Sequence, residues 1–381
     1  MNAEARIRVL HVRVVTGTGG GPEKTIINSP RYLASTRYEE IACYLHPPGD
    51  PGFEVLKERA ATARCPLIGI PDSRAFSVAS LRRIAAICRE HDIRMWHGHD
   101  YKSNLFGVLL RRYLRFLLVT TVHGWVKHTR RTPLYYAVDR WTLPRHDLVI
   151  AVSQDLMHSC TAIGVPPDRL RLIENGIDTD DYRRHSPLEC DNSGRPLVIG
   201  AAGRLSPEKG FDHAIAAVAT LRARGRDVRM IIAGEGDDRP RLEAQIAQCG
   251  LIDHIVLAGY RNDMRAFLEE VDIFCLSSLR EGLPNVILEA MAMSLPIVAT
   301  RSGGMGVFGR EGIDMLLVEP GSSDELADAL DRLIAAPDLR RMLASTARRR
   351  AESELSFGRR MAEMKNAYDE LLSRRPDVLS A

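Results

Sequence analysis

Residues Ile273–Thr300 read IFCLSSLREGLPNVILEAMAMSLPIVAT, and this stretch decides the fold. Ile273–Ser278 is an apolar run closed by serines, the pattern of a strand buried on both faces. Leu279–Pro284 carries turn residues, and a helix follows over about Asn285–Met293, rich in leucine, alanine and methionine. Pro296–Thr300 makes a second buried strand. Strand, loop, helix and strand in this order form one crossover unit of a parallel sheet. Two glutamates stand in it, Glu281 in the loop and Glu289 in the helix. On one continuous helix their separation would leave them ~80° apart in azimuth. With Glu281 ahead of the helix, both can face the carboxyl end of the strand, where open α/β sheets bind ligands.

The same rhythm extends outward. Upstream, the runs beginning at Leu197 (LVIGAAG), Arg229 (RMIIAGEG) and Ile255 (IVLAGY) are short β-branched strands that end in glycine. Downstream, Met315–Val318 is a strand, while Ser323–Ala335, Leu339–Ala351 and Phe357–Leu372 follow the helical period. In the N-terminal half, strands are expected at Ile7–Val15, Glu40–Leu45, Leu67–Gly69, Met95–His97, Leu117–His123 and Leu148–Val152, with helices such as Val78–Glu90 between them. Alternating strands and helices argue for doubly wound parallel sheets. The polar stretch Arg183–Pro196 is the natural linker, so domains are expected at 1–186 and 197–356, joined by 187–196, with 357–381 as a final amphipathic helix.

Composition narrows the class. A chain of 381 residues, 45% apolar and 27% charged, suits two globular domains. A net charge of +3 gives no case for nucleic acid. The seven cysteines are odd in number and form no CxxC, so neither a disulfide framework nor a cysteine metal site is expected. There is no apolar run long enough for a membrane span and no signal-peptide pattern in MNAEARIRVLHVRVV, so a cytoplasmic location is expected.

Several segments carry chemistry. TGTGGGPEKT follows the first strand, and Gly17, Gly19, Gly20 and Gly21 let the backbone approach a ligand. The spacing is not that of a dinucleotide fingerprint, because Pro22 stands where the third glycine should be, and a ligand-free turn stays open. His97 and His99 form an HxH, but Gly98 is expected to break the strand and no third ligand is evident, so no metal site is expected. His123 closes an apolar strand just before Gly124, where a ligand would sit; a simply packed histidine is the even alternative. Asp178 and Asp180 match a DxD formally, although a turn opening a helix explains them better. In GRLSPEKGFD, Arg204 and Lys209 flank a proline turn leading into a helix at Phe211–Leu221. Two cations beside a helix N-terminus make an anion site, most naturally for phosphate, with a solvated pair as the plain alternative. Leu105–His146 interleaves eight Arg and Lys residues with aromatics against one acid, Asp139. That composition suits an anionic membrane surface or a lipid-phosphate acceptor, and equally a core helix and strand with a basic loop.

In order along the chain, GGGPEK, TVHGW, AVSQ, NGID, GRLSPEKG, AGEG and EGLPNVILEAMAMSLPIVAT resemble glycosyltransferase family 4. The resemblance covers nearly the whole chain. It implies an α/β fold of the GT-B type, two Rossmann-like doubly wound domains facing across a cleft, with the last helix crossing back to the first domain. It implies a retaining transferase that takes a UDP- or GDP-sugar in the C-terminal domain and a glycan, polysaccharide-precursor or lipid-linked acceptor in the N-terminal one, peripheral to the inner face of a membrane if Leu105–His146 binds lipid. By the same resemblance, Arg204 and Lys209 neutralise the donor diphosphate in place of a metal, so neither a metal nor a cofactor is expected. The backbone of Gly282, Leu283, Pro284 and Asn285 meets phosphates or sugar hydroxyls, Glu289 the ribose, and Glu281 and His123 the transferred sugar. Gly19, Gly20 and Gly21 allow the N-terminal loop to approach, and Arg261 lies near the base. Retention is expected by front-face transfer, a donor phosphate oxygen taking the acceptor proton. Two departures stand out. The family often has GG-x-P-E where this chain has GGMGVFG, so a glutamate is missing. Pro30 interrupts the helix after the glycine loop, which is therefore expected to start late or kink. A sugar-nucleotide 2-epimerase and a catalytically silent sugar- or membrane-binding relative are the alternatives.

Overall fold

The computed structural model describes residues 6–124, 132–185 and 194–375. The chain divides into two compact units, one of Met1–Glu174 with Arg360–Ala381, the other of Asn175–Arg359. Residues 175–185 thus fold with the second unit, ahead of the expected linker.

The first unit is built on a sheet in the order β3-β2-β1-β4-β5-β6-β7, comprising β1 (Ile7–Val14), β2 (Tyr38–His46), β3 (Leu67–Pro71), β4 (Ile93–Gly98), β5 (Leu117–Val122), β6 (Leu148–Ala151) and β7 (Leu170–Leu172). The second carries β10-β9-β8-β11-β12-β13, with β8 (Leu197–Ala202), β9 (Val228–Ala233), β10 (Ile255–Leu257), β11 (Ile273–Leu276), β12 (Ile297–Thr300) and β13 (Leu316–Val318). All these pairings are parallel. Helices cover both faces, so central strands such as β11 and β12 are buried throughout, which is why they read as unbroken apolar runs. Strand order reverses between β1 and β4 and again between β8 and β11. At such a switch point the loops that follow neighbouring strands diverge and leave a crevice at the carboxyl edge of that sheet.

The helix after the glycine loop does not start late. It runs Gly21–Leu33 with Pro30 inside it. Proline removes the donor that would reach the carbonyl of Ile26. Ser29 Oγ donates to that oxygen at 3.0 Å and Cys65 Sγ approaches it at 4.0 Å, so the lost bond is replaced from nearby side chains. Asn175–Gly176 likewise does more than turn the chain. Ile177 N donates to Leu355 O and Phe357 N to Ile177 O, each at 2.8 Å, pairing the strands by which the chain enters and leaves the second unit. A Cβ on Gly176 would lie 2.9 Å from Phe357 Cα. Asp178 accepts from the amides of Asp180 and Asp181 at 3.0 Å, the turn expected there.

The last helix spans Phe357–Arg374 and supplies partners within the first unit. Asp369 accepts from Tyr38 Oη and Lys365 Nζ at 2.7 Å and pairs with Arg37. Partial burial would raise its pKa, but the bonds from Lys365, Tyr38 and Arg37 outweigh that and hold it down at about 2. A carboxylate lowered in the folded state adds stability above its unfolded pKa and loses it as pH falls through the folded value. Asp369→Asn should therefore lower the melting temperature at pH 7, with the penalty shrinking below about pH 4, small near pH 2 and gone only below it. A penalty of equal size at pH 7 and at pH 3 would refute this account.

Within Leu105–His146, Phe106 and Phe116 are core residues and Arg111 pairs with Asp147 at 2.7 Å. Arg112, Tyr113, Arg115, Arg140, Trp141 and Arg145 are exposed, while Trp125, Lys127, Arg130 and Arg131 lie outside the described residues. No described helix is long and apolar enough to cross a membrane. Cys43, Cys65, Cys88, Cys160 and Cys275 are buried free thiols, and burial pushes each up to about 12.

Candidate active site

In the second unit the site grows from the loops after β8, β9 and β10. Leu205 N donates to Glu235 O at 3.0 Å and Gly234 N to Gly259 O at 2.8 Å. A Cβ on Gly234 would fall 1.8 Å from Gly203 O, and one on Gly236 2.2 Å from Leu205 O. The glycines that end these strands are thus what allows the three loops to touch. Arg204 and Arg261 emerge from them, both exposed.

Pro207–Lys209 forms one tight turn, and Gly210, at φ +59°, leads into the helix Phe211–Ala223. A Cβ on Gly210 would lie 2.3 Å from Ser277 O, and Ser277 Oγ donates to Lys209 O at 2.9 Å. The loop after β11 therefore pins the backbone of Lys209, whose Nζ donates to Glu281 Oε1. Ser278 Oγ donates to the same oxygen at 3.2 Å. The main chain of Glu281 is held from GGMGVFG: Gly304 N donates to Glu281 O at 3.3 Å, and a Cβ on Gly303, at φ +51°, would lie 2.0 Å from that oxygen. This loop lacks the family's glutamate yet still grips the Glu281–Gly282 turn through its two glycines.

The helix Asn285–Ala292 begins after Pro284, which offers no side-chain cap, so its first amides can meet an anion. Glu289, inside this helix, is 2% exposed and accepts from Tyr182 Oη at 3.2 Å. Burial and the charge of Glu289 hold the Tyr182 phenol far above its ordinary value, so Tyr182 stays a donor. The two glutamates therefore have different partners, a lysine for Glu281 and a phenol for Glu289. A lysine, the exposed Arg204 and an uncapped helix start at a switch point can hold phosphates, and the carboxylates can accept from hydroxyls.

In the first unit, Gly19 (φ +70°) and Gly20 follow β1, and Gly20 N donates to Glu23 Oε2 at 2.7 Å. Arg13 pairs with the other oxygen of Glu23 and donates from Nη1 to His99 O at 3.1 Å, tying the glycine loop to the end of β4. β4 ends at Gly98 as expected, yet the rings of His97 and His99 on either side of it still stack at 4.5 Å. The glycine also leaves room for the next helix, since its Cβ would meet Asn104 Oδ1 at 2.4 Å. A third histidine, not anticipated, comes from β1, where His11 lies in register with His97.

His11, His97 and His99 present ring nitrogens within 4.8 Å of one another, close enough to hold a metal ion. All six nitrogens already have hydrogen-bond partners. His97 Nδ1 and Nε2 bond Tyr368 Oη at 2.6 Å and Thr121 Oγ1 at 2.7 Å. His11 Nε2 and Nδ1 lie 3.0 Å from Glu40 Oε1 and 2.9 Å from His99 Nε2. His99 Nδ1 lies 3.1 Å from His123 Nε2. Burial holds His97, His99 and His123 well below the usual imidazole range; His97 is lowered next by His11, His99 by His97, and His123 by the charge of Arg13.

Of the residues singled out in the sequence, the structure joins Lys209 to Glu281 and Glu289 to Tyr182. Leu283 and Asn285 lie between the two glutamates in the chain, and Arg204 and Arg261 stand at loop ends. His123 and Gly19–Gly21 belong to the first unit. His11, Glu40, Glu23 and Tyr182 were not foreseen. The available signal for the first two was a histidine set among apolar residues in VLHV and the second glutamate of YEEIACYLH, both in strands that are mostly buried.

Two Rossmann-like α/β units of this kind constitute the GT-B fold of glycosyltransferases. It matches the crystal structure of Anabaena Alr3699/HepE in complex with UDP, with a TM-score of 0.80 over 96% of this chain and 100% of that one, at 22% identity. Residues 19–181 match Glycosyltransferase Family 4, and residues 191–350 match Glycosyl transferases group 1. The chain belongs to glycosyltransferase family 4. It is 29% identical over 328 residues to the MMP alpha-(1->4)-mannosyltransferase of Mycolicibacterium hassiacum, covering 80% of this chain and 77% of that protein. It is 32% identical over 207 residues to the lipopolysaccharide core biosynthesis glycosyltransferase LpsE of Rhizobium meliloti, covering 54% of this chain and 58% of LpsE.

Proposed function

We propose that this glycosyltransferase moves a sugar from a UDP- or GDP-sugar to a glycan, polysaccharide-precursor or lipid-linked acceptor, with retention and without a metal. What supports this is the Lys209–Glu281 pair at the switch point of the second sheet. Lys209 and Arg204 supply positive charge where a leaving diphosphate gains negative charge, and the start of the helix Asn285–Ala292 adds amide donors. Glu289, oriented by Tyr182, takes the ribose hydroxyls, and Arg261 lies beside the base. Glu281 accepts from the transferred sugar and stabilises its oxocarbenium-like transition state. For the first unit, His123 is assigned a hydrogen bond to that sugar. Because Glu281 is engaged by Lys209 and Ser278, it is given no nucleophilic role, and a donor phosphate oxygen takes the acceptor proton. The names of the relatives, a mannosyltransferase and a lipopolysaccharide core enzyme, favour glycan or lipid-linked acceptors, and the UDP bound to HepE makes UDP-sugars the first donors to try.

The test is turnover of a panel of UDP- and GDP-sugars with and without EDTA, the product's anomeric configuration being read by NMR. Glu281→Ala and Arg204→Ala should each lower turnover by about 100-fold or more. Failure to bind or cleave any donor would overturn the assignment. Loss of activity in EDTA would overturn metal independence, and an inverted product would overturn retention.

A further inference from the structure

Glu40, His11, His99 and His123 form a continuous hydrogen-bonded file through the first unit. The separations are 3.0 Å from Glu40 Oε1 to His11 Nε2, 2.9 Å from His11 Nδ1 to His99 Nε2, and 3.1 Å from His99 Nδ1 to His123 Nε2. Glu40, His11 and His99 are buried, while His123 is half-buried. Its Nδ1 bonds no described residue. Consecutive rings stack, His11 on His99 at 5.2 Å and His99 on His123 at 5.4 Å, so none can flip without disturbing the next.

Such a file has a direction. A neutral imidazole carries one N–H, and a carboxylate only accepts. Glu40 therefore requires His11 to donate from Nε2. His11 Nδ1 is then bare and must accept from His99 Nε2–H. His99 Nδ1 is bare in turn and must accept from His123 Nε2–H. Burial first, then the neighbouring rings and Arg13, favours a neutral His99, and burial with Arg13 and Arg360 does the same for His123. Arg360 also faces Glu40 and balances the buried carboxylate.

We propose that Glu40 is a positioning residue that sets the tautomer of His123 through His11 and His99, leaving His123 Nδ1 a bare hydrogen-bond acceptor. A substrate group meeting that nitrogen must bring a proton, as a sugar hydroxyl does, while a carbonyl or phosphate oxygen is disfavoured. This consequence for substrate rests on the sugar-contact role proposed for His123; the tautomer itself does not.

The experiment is long-range ¹H–¹⁵N correlation on the full chain with ¹⁵N-labelled histidine, His123 being assigned from the signal lost in His123→Asn. In the wild type at neutral pH, His123 should show a protonated Nε2 and a bare Nδ1. In Glu40→Gln the amide can donate as well as accept, and the Nδ1–H form of His123 should rise to about half of the population. Glu40→Asp keeps a carboxylate and should restore the native tautomer. A wild-type spectrum with Nδ1–H at His123 overturns the proposal even if no variant folds, and so does an unchanged tautomer in a folded Glu40→Gln. In kinetics, Glu40→Gln should lower kcat about tenfold at unchanged donor KM. A shifted tautomer with unchanged kcat would uphold the file and remove His123 from the sugar.

Discussion

Replacing Lys209 by alanine is expected to lower kcat by about 100- to 1,000-fold, the usual cost of removing one preorganised group that stabilises developing charge. Lys209 is held from three sides. Ser277 fixes its carbonyl, its stem passes Gly203 where a Cβ would come within 3.4 Å, and its ammonium meets Glu281. A lysine fixed in this way would need little reorganisation if, as proposed, a diphosphate leaves beside it. Glu281 also loses its counter-charge in the variant, so Lys209→Ala and Glu281→Ala should not add. The double variant should approach the worse single one, as for groups that act as a unit. Arginine should rescue poorly, because a planar fork does not replace a compact ammonium at a site shaped around a slim stem. Initial rates at saturating donor decide the matter, and a kcat within threefold of wild type would remove Lys209 from the chemistry.

Arg350→Met is expected to cost about 3–5 kcal/mol of stability, because it strands a buried carboxylate. Asp314 is completely buried, and Arg350 Nη1 meets its Oδ2 at 2.6 Å and Phe308 O at 2.8 Å. The guanidinium also lies 4.3 Å over the Phe308 ring. Phe308 ends the short helix Met305–Phe308 that follows Gly303 and Gly304, so Arg350 anchors the loop that grips Glu281. Adding Asp314→Asn should recover part of the loss, since the unpaired charge is then gone. Urea unfolding measures both. A single-variant loss below about 1 kcal/mol would mean that Asp314 finds water or another partner.

The fold, and the places of Glu281 and Glu289 in it, were legible because their signals are local. Ile273–Leu276 and Ile297–Thr300 are buried on both faces and look so residue by residue, and Glu281 precedes its helix because Pro284 stands where the helix starts. What escaped depends on partners far along the chain. His11 meets Glu40 across 29 positions and His99 across 88, and a lone histidine in RVLHVRV gives no hint of either. Pro30 misled about where its helix starts, for a related reason. The local rule counts the lost amide but cannot count Cys65 or the Ser29 hydroxyl that answer for it. Gly98 ends its strand as read, but the space that Asn104 needs beside it could not be seen from the sequence.

The division of the chain has a temporal side. The first unit takes its final segment from Arg360 onward, and that segment brings Tyr368 to His97, Asp369 to Arg37 and Tyr38, and Arg360 to the carbonyl of Glu174. A ribosome makes these residues after the whole second unit. The second unit, contiguous from Asn175 to Arg359, has all of its partners before the first does. Until that segment emerges, His97 lacks the buried phenol that satisfies its Nδ1, and the earlier unit is completed after the later one.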